Sequence, residues 1–135
     1  MKQKNAFFIV FVLCIFTACI ESNEGPVTRN IKYEVAGTAS HVHITMKNSD
    51  GNTEYLNSVP VPWKRTFKVT IEEGDSFSVY ILAQNKDVVG SVTVKIYVDN
   101  WVFKSETSNE ANAIAIAYGD VKGNPPRDFY ALGAR

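Results

Sequence analysis

From Asn30 onward the apolar residues of this chain recur at every second position, and nowhere beyond it do they keep helical spacing for more than a turn or two. A period of two is the mark of a strand with one buried and one wet face, which confines the fold to β architecture. Ile31, Tyr33 and Val35 alternate with Lys32 and Glu34, and Val42, Ile44 and Met46 alternate with His41, His43 and Thr45. Asn48-Ser49-Asp50-Gly51 supplies hairpin chemistry before a third strand near Thr53 to Val59. Val59-Pro60-Val61-Pro62 cannot sit in a central strand, because proline donates nothing to a ladder; a corner or an edge is expected there.

The pattern resumes at Phe67, Val69 and Ile71, stops at Glu72-Glu73-Gly74-Asp75, and restarts with Phe77, Val79, Ile81 and Ala83, which predicts another hairpin around Gly74. Val92, Val94, Ile96 and Val98 then alternate with Ser91, Thr93, Lys95 and Tyr97, and Asp99-Asn100 breaks the run. Segments Trp101 to Glu106 and Ala111 to Tyr118 complete about eight short strands. This spacing predicts an all-β, antiparallel, immunoglobulin-like β-sandwich of 7–8 strands over residues 30–118, with a small barrel as the competing architecture. The tail 119–135, with Gly123, Pro125 and Pro126, falls outside the pattern.

The N-terminus obeys a different grammar. Lys2 and Lys4 precede an apolar run from Ala6 to Ala18, with Thr17-Ala18 directly before Cys19. That run covers 13 residues, whereas crossing a bilayer core takes roughly 20 in a helix. Phe16-Thr17-Ala18-Cys19 resembles a lipobox, so residues 1–18 are expected to be a lipoprotein signal peptide and Cys19 the lipidated first residue of the mature chain. A plain signal peptide and a short anchor helix are the alternatives. Ile20 to Arg29, interrupted by Gly25-Pro26, is polar and is expected to be a flexible tether over 19–29. Acyl chains contribute about 0.8 kcal/mol per buried methylene, so two or three of them would make a lasting membrane anchor. Ile20 in place of an aspartate after Cys19 leans towards the outer membrane.

With Cys14 removed and Cys19 lipidated, the mature chain of 117 residues holds no disulfide, so the core alone must stabilise it. Twelve basic side chains oppose 14 acidic ones after residue 18 with no basic run, which argues against a nucleic-acid partner. Catalytic sets are thin: there is no Gly-x-Ser-x-Gly elbow, P-loop or dinucleotide fingerprint. His41 and His43 are the only histidines and share a strand face, yet no cysteine or acidic residue on that strand completes a metal site. Glu72 and Glu73 sit in an expected turn, where carboxylates are solvated. No enzyme activity and no cofactor are expected. Tyr97 and Trp101 are the better candidates for a binding surface, since both are expected near one hairpin end and aromatic rings give rigid contact area. Trp63 is assigned to the core.

Four segments in order resemble the periplasmic domain of the MmpS family, small membrane proteins that accompany mycobacterial lipid transporters. They are Tyr33-Glu34-Val35-Ala36-Gly37; Ile44-Thr45-Met46 followed by Asp50-Gly51-Asn52-Thr53; Val61-Pro62-Trp63-Lys64-Arg65-Thr66; and Ala83-Gln84-Asn85 followed by Gly90-Ser91-Val92-Thr93-Val94-Lys95-Ile96-Tyr97-Val98-Asp99. The likeness spans 31–118. It implies a β-sandwich held at a membrane as an accessory subunit of a resistance, nodulation and division transporter, without catalysis. A lipid on Cys19 would replace the family's transmembrane helix. The family's cysteine pair corresponds to Val94 and Ala117, which should therefore be apolar core, and Asp99-Asn100-Trp101 replaces its Asp-Gly-Lys turn. Three function classes thus compete, of which the first two are a noncatalytic, lipid-anchored accessory module for an envelope transporter and a surface lipoprotein binding an extracellular ligand such as glycan through Tyr97 and Trp101. A metal enzyme around His41 and His43 is the third.

Overall fold

A computed structural model describes residues 25–125. The expected signal peptide, Cys19, the tether up to Glu24 and the tail from Pro126 lie outside the described residues. The alternation builds eight strands: β1 (Val27–Ala36), β2 (His41–Lys47), β3 (Thr53–Pro60), β4 (Trp63–Ile71), β5 (Ser76–Asn85), β6 (Val92–Val98), β7 (Trp101–Ser108) and β8 (Ile114–Lys122). They form two four-stranded antiparallel sheets, ordered β4-β1-β6-β7 and β3-β2-β5-β8. Since no ladder joins the two sheets, the molecule is a β-sandwich and the barrel is set aside. Strand pairing reaches past the expected limits at both ends. Val27 pairs with Ile71, within the segment expected to be tether, and Lys122 pairs with Ser76 beyond Gly119.

The inward phase of each strand fills one core. Ile31, Tyr33, Val35, Val92, Val94 and Ile96 come from the first sheet, and Val42, Ile44, Met46, Val79, Ile81 and Ala83 from the second, each at most 1 % exposed. Tyr33 stands edge-on to Phe67 at 5.3 Å, and its buried hydroxyl accepts a hydrogen bond from the Tyr80 backbone N–H at 3.3 Å. Burial pushes its phenol up to about 12. Trp63 packs against the core, as expected, with the Arg65 guanidinium 5.6 Å from its ring.

The turn at Glu72-Glu73-Gly74-Asp75 is not a hairpin, and this corrects the expectation. β4 pairs with β1 while β5 pairs with β2 and β8, so the segment carries the chain from one sheet to the other. Ile71 and Val79 then face the same core from opposite layers. The turn is tied to the end of β8 rather than to a partner strand: Gly74 N–H donates to the Asn124 carbonyl at 2.8 Å and Gly123 N–H to the Asp75 carbonyl at 2.9 Å. Local turn chemistry does not say whether the strand that follows folds back in plane or crosses over.

The other breaks behave as turn chemistry dictates. β3 is an edge strand ending at Pro60, and a cis Val61-Pro62 bond makes the corner into β4. Between β6 and β7, Asp99 and Asn100 both take positive φ (50° and 68°), the geometry of a type I′ hairpin. The Asp99 carboxylate accepts from the Asn30 N–H and from Arg29 Nη1, each at 2.9 Å. The Asn30 N–H is the larger cause that holds this carboxyl below the usual range; Arg29 adds to it and partial desolvation opposes it. The register of β6 and β7 slips between Ile96 and Tyr97, making Phe103 the extra residue. Its ring lies over Gly119 of β8, where an added β-carbon would sit 2.7 Å from Phe103 Cε1. That contact closes the side of the sandwich where the edge strands of the two sheets meet.

Candidate interaction surface

The residues singled out for chemistry are scattered. His41 is exposed and His43 half-buried on the outer side of β2, while Val42 and Ile44 point into the core. His43 Nδ1 lies 3.2 Å from Asn57 Oδ1, and His41 Nδ1 lies 3.3 Å from Ser40 Oγ. Among the described residues no group of three or more His, Cys, Asp or Glu side chains could hold a metal ion. Replacing both histidines with glutamine should change unfolding free energy by less than about 1 kcal/mol in urea titration, the usual range for surface changes. A loss above that, or stoichiometric zinc lost with the double variant, would contradict this placement.

Tyr97 and Trp101 both belong to the β6–β7 hairpin, but on opposite sides. Trp101 pairs with Val98, which packs against the core, whereas Tyr97 pairs with Val102 on the outer face. Residues directly opposite one another share a face, so the two rings do not form one surface. Tyr97 is also engaged. Lys32 Nζ stands 3.9 Å over its ring, and its hydroxyl reaches Glu34 Oε1 at 3.5 Å. Trp101 is 81 % exposed beside an open groove lined by Arg29, Asp99, Phe103 and Lys122.

A more extended surface lies on the outer face of the β3-β2-β5-β8 sheet. In β8 the alternation is inverted by size: Ala113, Ala115 and Ala117 are buried, whereas Ile114, Ile116 and Tyr118 are 48 %, 40 % and 67 % exposed. Small inward residues let β8 pack closely against the first sheet. Large apolar residues turned to solvent gain nothing from that packing. Ile116 pairs with Leu82, Leu82 with Thr45 and Thr45 with Tyr55, so one row crosses all four strands. Tyr118 pairs with Tyr80 in the adjacent row, and Ile114 with Gln84, itself opposite His43. Leu82 and Tyr80 are half-buried and Tyr55 is 71 % exposed. The result is an exposed apolar strip, interrupted by Thr45 and bordered by Lys47, Glu106 and Asp120, and patches of this kind mark protein contacts.

The sequence carried the signal for this strip in Ala113-Ile114-Ala115-Ile116-Ala117-Tyr118. Period-two apolarity at both phases says that a strand has two apolar faces, but not which one is inside. Val94 and Ala117, placed in the core by resemblance, are 0 % and 2 % exposed.

Residues 16–123 match the family described as Mycobacterium membrane protein. The chain is similar to the probable transport accessory protein MmpS5 of Mycobacterium bovis and to the siderophore export accessory protein MmpS5 of Mycobacterium tuberculosis. Each is 30 % identical over 88 residues, covering 65 % of this chain and 58 % of the relative. The match thus spans somewhat more than half the length of those relatives.

Proposed function

The chain belongs to the Mycobacterium membrane protein family, and from that premise we propose that it is a noncatalytic accessory module of an envelope transporter, docked through the outer face of its β3-β2-β5-β8 sheet. The observation that carries this reading is the outward placement of Ile114, Ile116 and Tyr118 beside Leu82, Tyr80 and Tyr55. A surface of this kind needs a partner more than it needs a ligand pocket. The relatives' printed roles in transport and siderophore export support an envelope transporter as that partner, and the family resemblance adds that it is of the resistance, nodulation and division type.

Introducing charge tests the strip directly. Ile116→Lys with Tyr118→Lys should abolish co-purification of the transporter with the chain from native membranes, because the contact would have to desolvate two charges where it now buries apolar side chains. Both positions face solvent in the free domain, so its thermal unfolding should stay within a few degrees of the parent's. Undiminished co-purification would refute the docking surface.

Membrane attachment is the second part of the proposal: Cys19 is lipidated, and the anchor is in the outer membrane. The order Lys2, Lys4, apolar run and Thr17-Ala18-Cys19 supports it. Cys19→Ser should abolish fatty-acid labelling and release the domain from washed membranes. Labelling that survives the change would rule the lipid out.

A further inference from the structure

The two outer faces of the sandwich differ in charge. On the β4-β1-β6-β7 sheet, the outward phase presents Lys32 and Glu34 from β1, Lys64 and Lys68 from β4, and Lys95 from β6. The intervening positions are largely threonine: Thr28, Thr66, Thr70 and Thr93. Four lysines face one glutamate. Glu34 sits in one cross-strand row with Lys64 on one side and Lys95 on the other, and its carboxylate is 3.8 Å from Lys32 Nζ. Among the described residues Lys64, Lys68 and Lys95 have no ion-pair partner. Strands about 4.8 Å apart and a repeat of about 6.8 Å along each strand bring all four ammonium groups onto a patch roughly 15 Å across.

We infer that this lysine and threonine face rests on an anionic phospholipid bilayer, so that the domain lies on its side at the membrane it is attached to. Three features favour lipid over an acidic protein. Lysine is depleted from protein interface cores, and the patch offers no aromatic or arginine anchor, since Tyr97 is already held between Lys32 and Glu34. Lysine heads on flexible stems suit a fluid array of phosphates better than a fixed partner. The end of the sandwich where β1 begins carries Glu72, Asp75 and Asp120 against Lys122, with Asp99 paired to Arg29, so an upright pose would press an excess of carboxylates against lipid phosphate. Reach permits the side-on pose. The eight residues from Cys19 to Val27 span at most about 27 Å, against about 33 Å for the length of β1. With the basic face on lipid, the apolar strip of the opposite sheet points away from the bilayer, open to a partner.

The inference rests on the chain being membrane-held, and its test separates the two ideas. The full chain is added to vesicles of phosphatidylcholine alone or of equal phosphatidylcholine and phosphatidylglycerol. Single cysteines at Thr66→Cys on the basic face and Tyr55→Cys on the apolar face are introduced into the chain purified from membranes and labelled with an impermeant maleimide, and the labelling of the parent chain, which has no thiol left where Cys19 carries lipid, is subtracted. The chain should float with both vesicle types. Labelling at position 66 should slow at least fivefold in the anionic vesicles and labelling at 55 should not change. Salt near 1 M, where the Debye length is about 3 Å, should restore the rate at 66, as should Lys64→Gln, Lys68→Gln and Lys95→Gln combined. Flotation with both types but equal labelling at 66 would overturn the lipid face and leave the attachment standing. Flotation with anionic vesicles alone would support the face and remove the anchor, and flotation with neither would remove both. Protection of position 66 that appears in neutral vesicles only when the transporter is added would assign the face to protein and overturn the inference.

Discussion

Val94→Asp should destabilise the domain by about 4 kcal/mol, a large part of the 5–15 kcal/mol that holds a domain of this size together. Val94 is 0 % exposed in the middle of β6, opposite Val35 of β1 and Glu106 of β7. An aspartate there would have to ionise without a counter-ion or stay protonated without hydrogen-bond partners, and either state is costly in an apolar core. Glu106, opposite it across the ladder, adds like charge rather than relief. Thr93→Asp, one residue away on the outer face beside Thr107, should cost less than about 1 kcal/mol. Urea titration of both variants checks the contrast. Comparable losses would mean that β6 does not divide its residues between core and surface as described.

Gly37→Ala, which adds a single methyl group, should cost about 3 kcal/mol. Gly37 has a φ of +132°, a region that side-chain-bearing residues rarely enter, and a β-carbon there would overlap the Ser91 carbonyl. That carbonyl is committed. It accepts from Thr38 N–H and Ala39 N–H, both at 3.1 Å, while Ser91 N–H donates to Thr38 Oγ1 at 2.8 Å. Moving it aside would break the bonds that join the β1–β2 turn to the entry of β6, and backbone groups left unpaired cost about 1–3 kcal/mol each. Gly25→Ala has the positive φ (+86°), but among the described residues no atom lies within 4 Å of the added β-carbon, so only backbone strain of about 1 kcal/mol is expected. Equal melting shifts for the two variants would show that the clash is not the cause.

These positions also show where the sequence speaks and where it stops. Strands were legible because polar and apolar residues alternate through β1, β2, β5 and β6, and each inward residue then has one place to go. Asp99-Asn100 was legible as a turn because its short polar side chains tolerate positive φ. The crossing at Glu72-Glu73-Gly74-Asp75 was not. Turn residues declare a reversal, but which sheet the next strand joins depends on contacts with β2 and β8, far away in sequence. The faces of Tyr97 and Trp101 were hidden for a related reason, because an antiparallel hairpin pairs Tyr97 with Val102 and leaves Trp101 opposite Val98. In β8 the hydrophobic scale misleads outright, placing isoleucine before alanine as core while packing against the first sheet demands the reverse. That inversion becomes visible only once the layers are assembled.

Photocrosslinking in living cells tests the docking surface most directly. A benzophenone amino acid replaces Tyr118 on the apolar strip in one strain and Thr66 on the lysine face in another. Docking through the apolar strip should make the Tyr118 probe form an adduct with the integral-membrane transporter while the Thr66 probe does not. Adducts to the transporter from Thr66 alone, or from neither position in a stably folded chain, would contradict it.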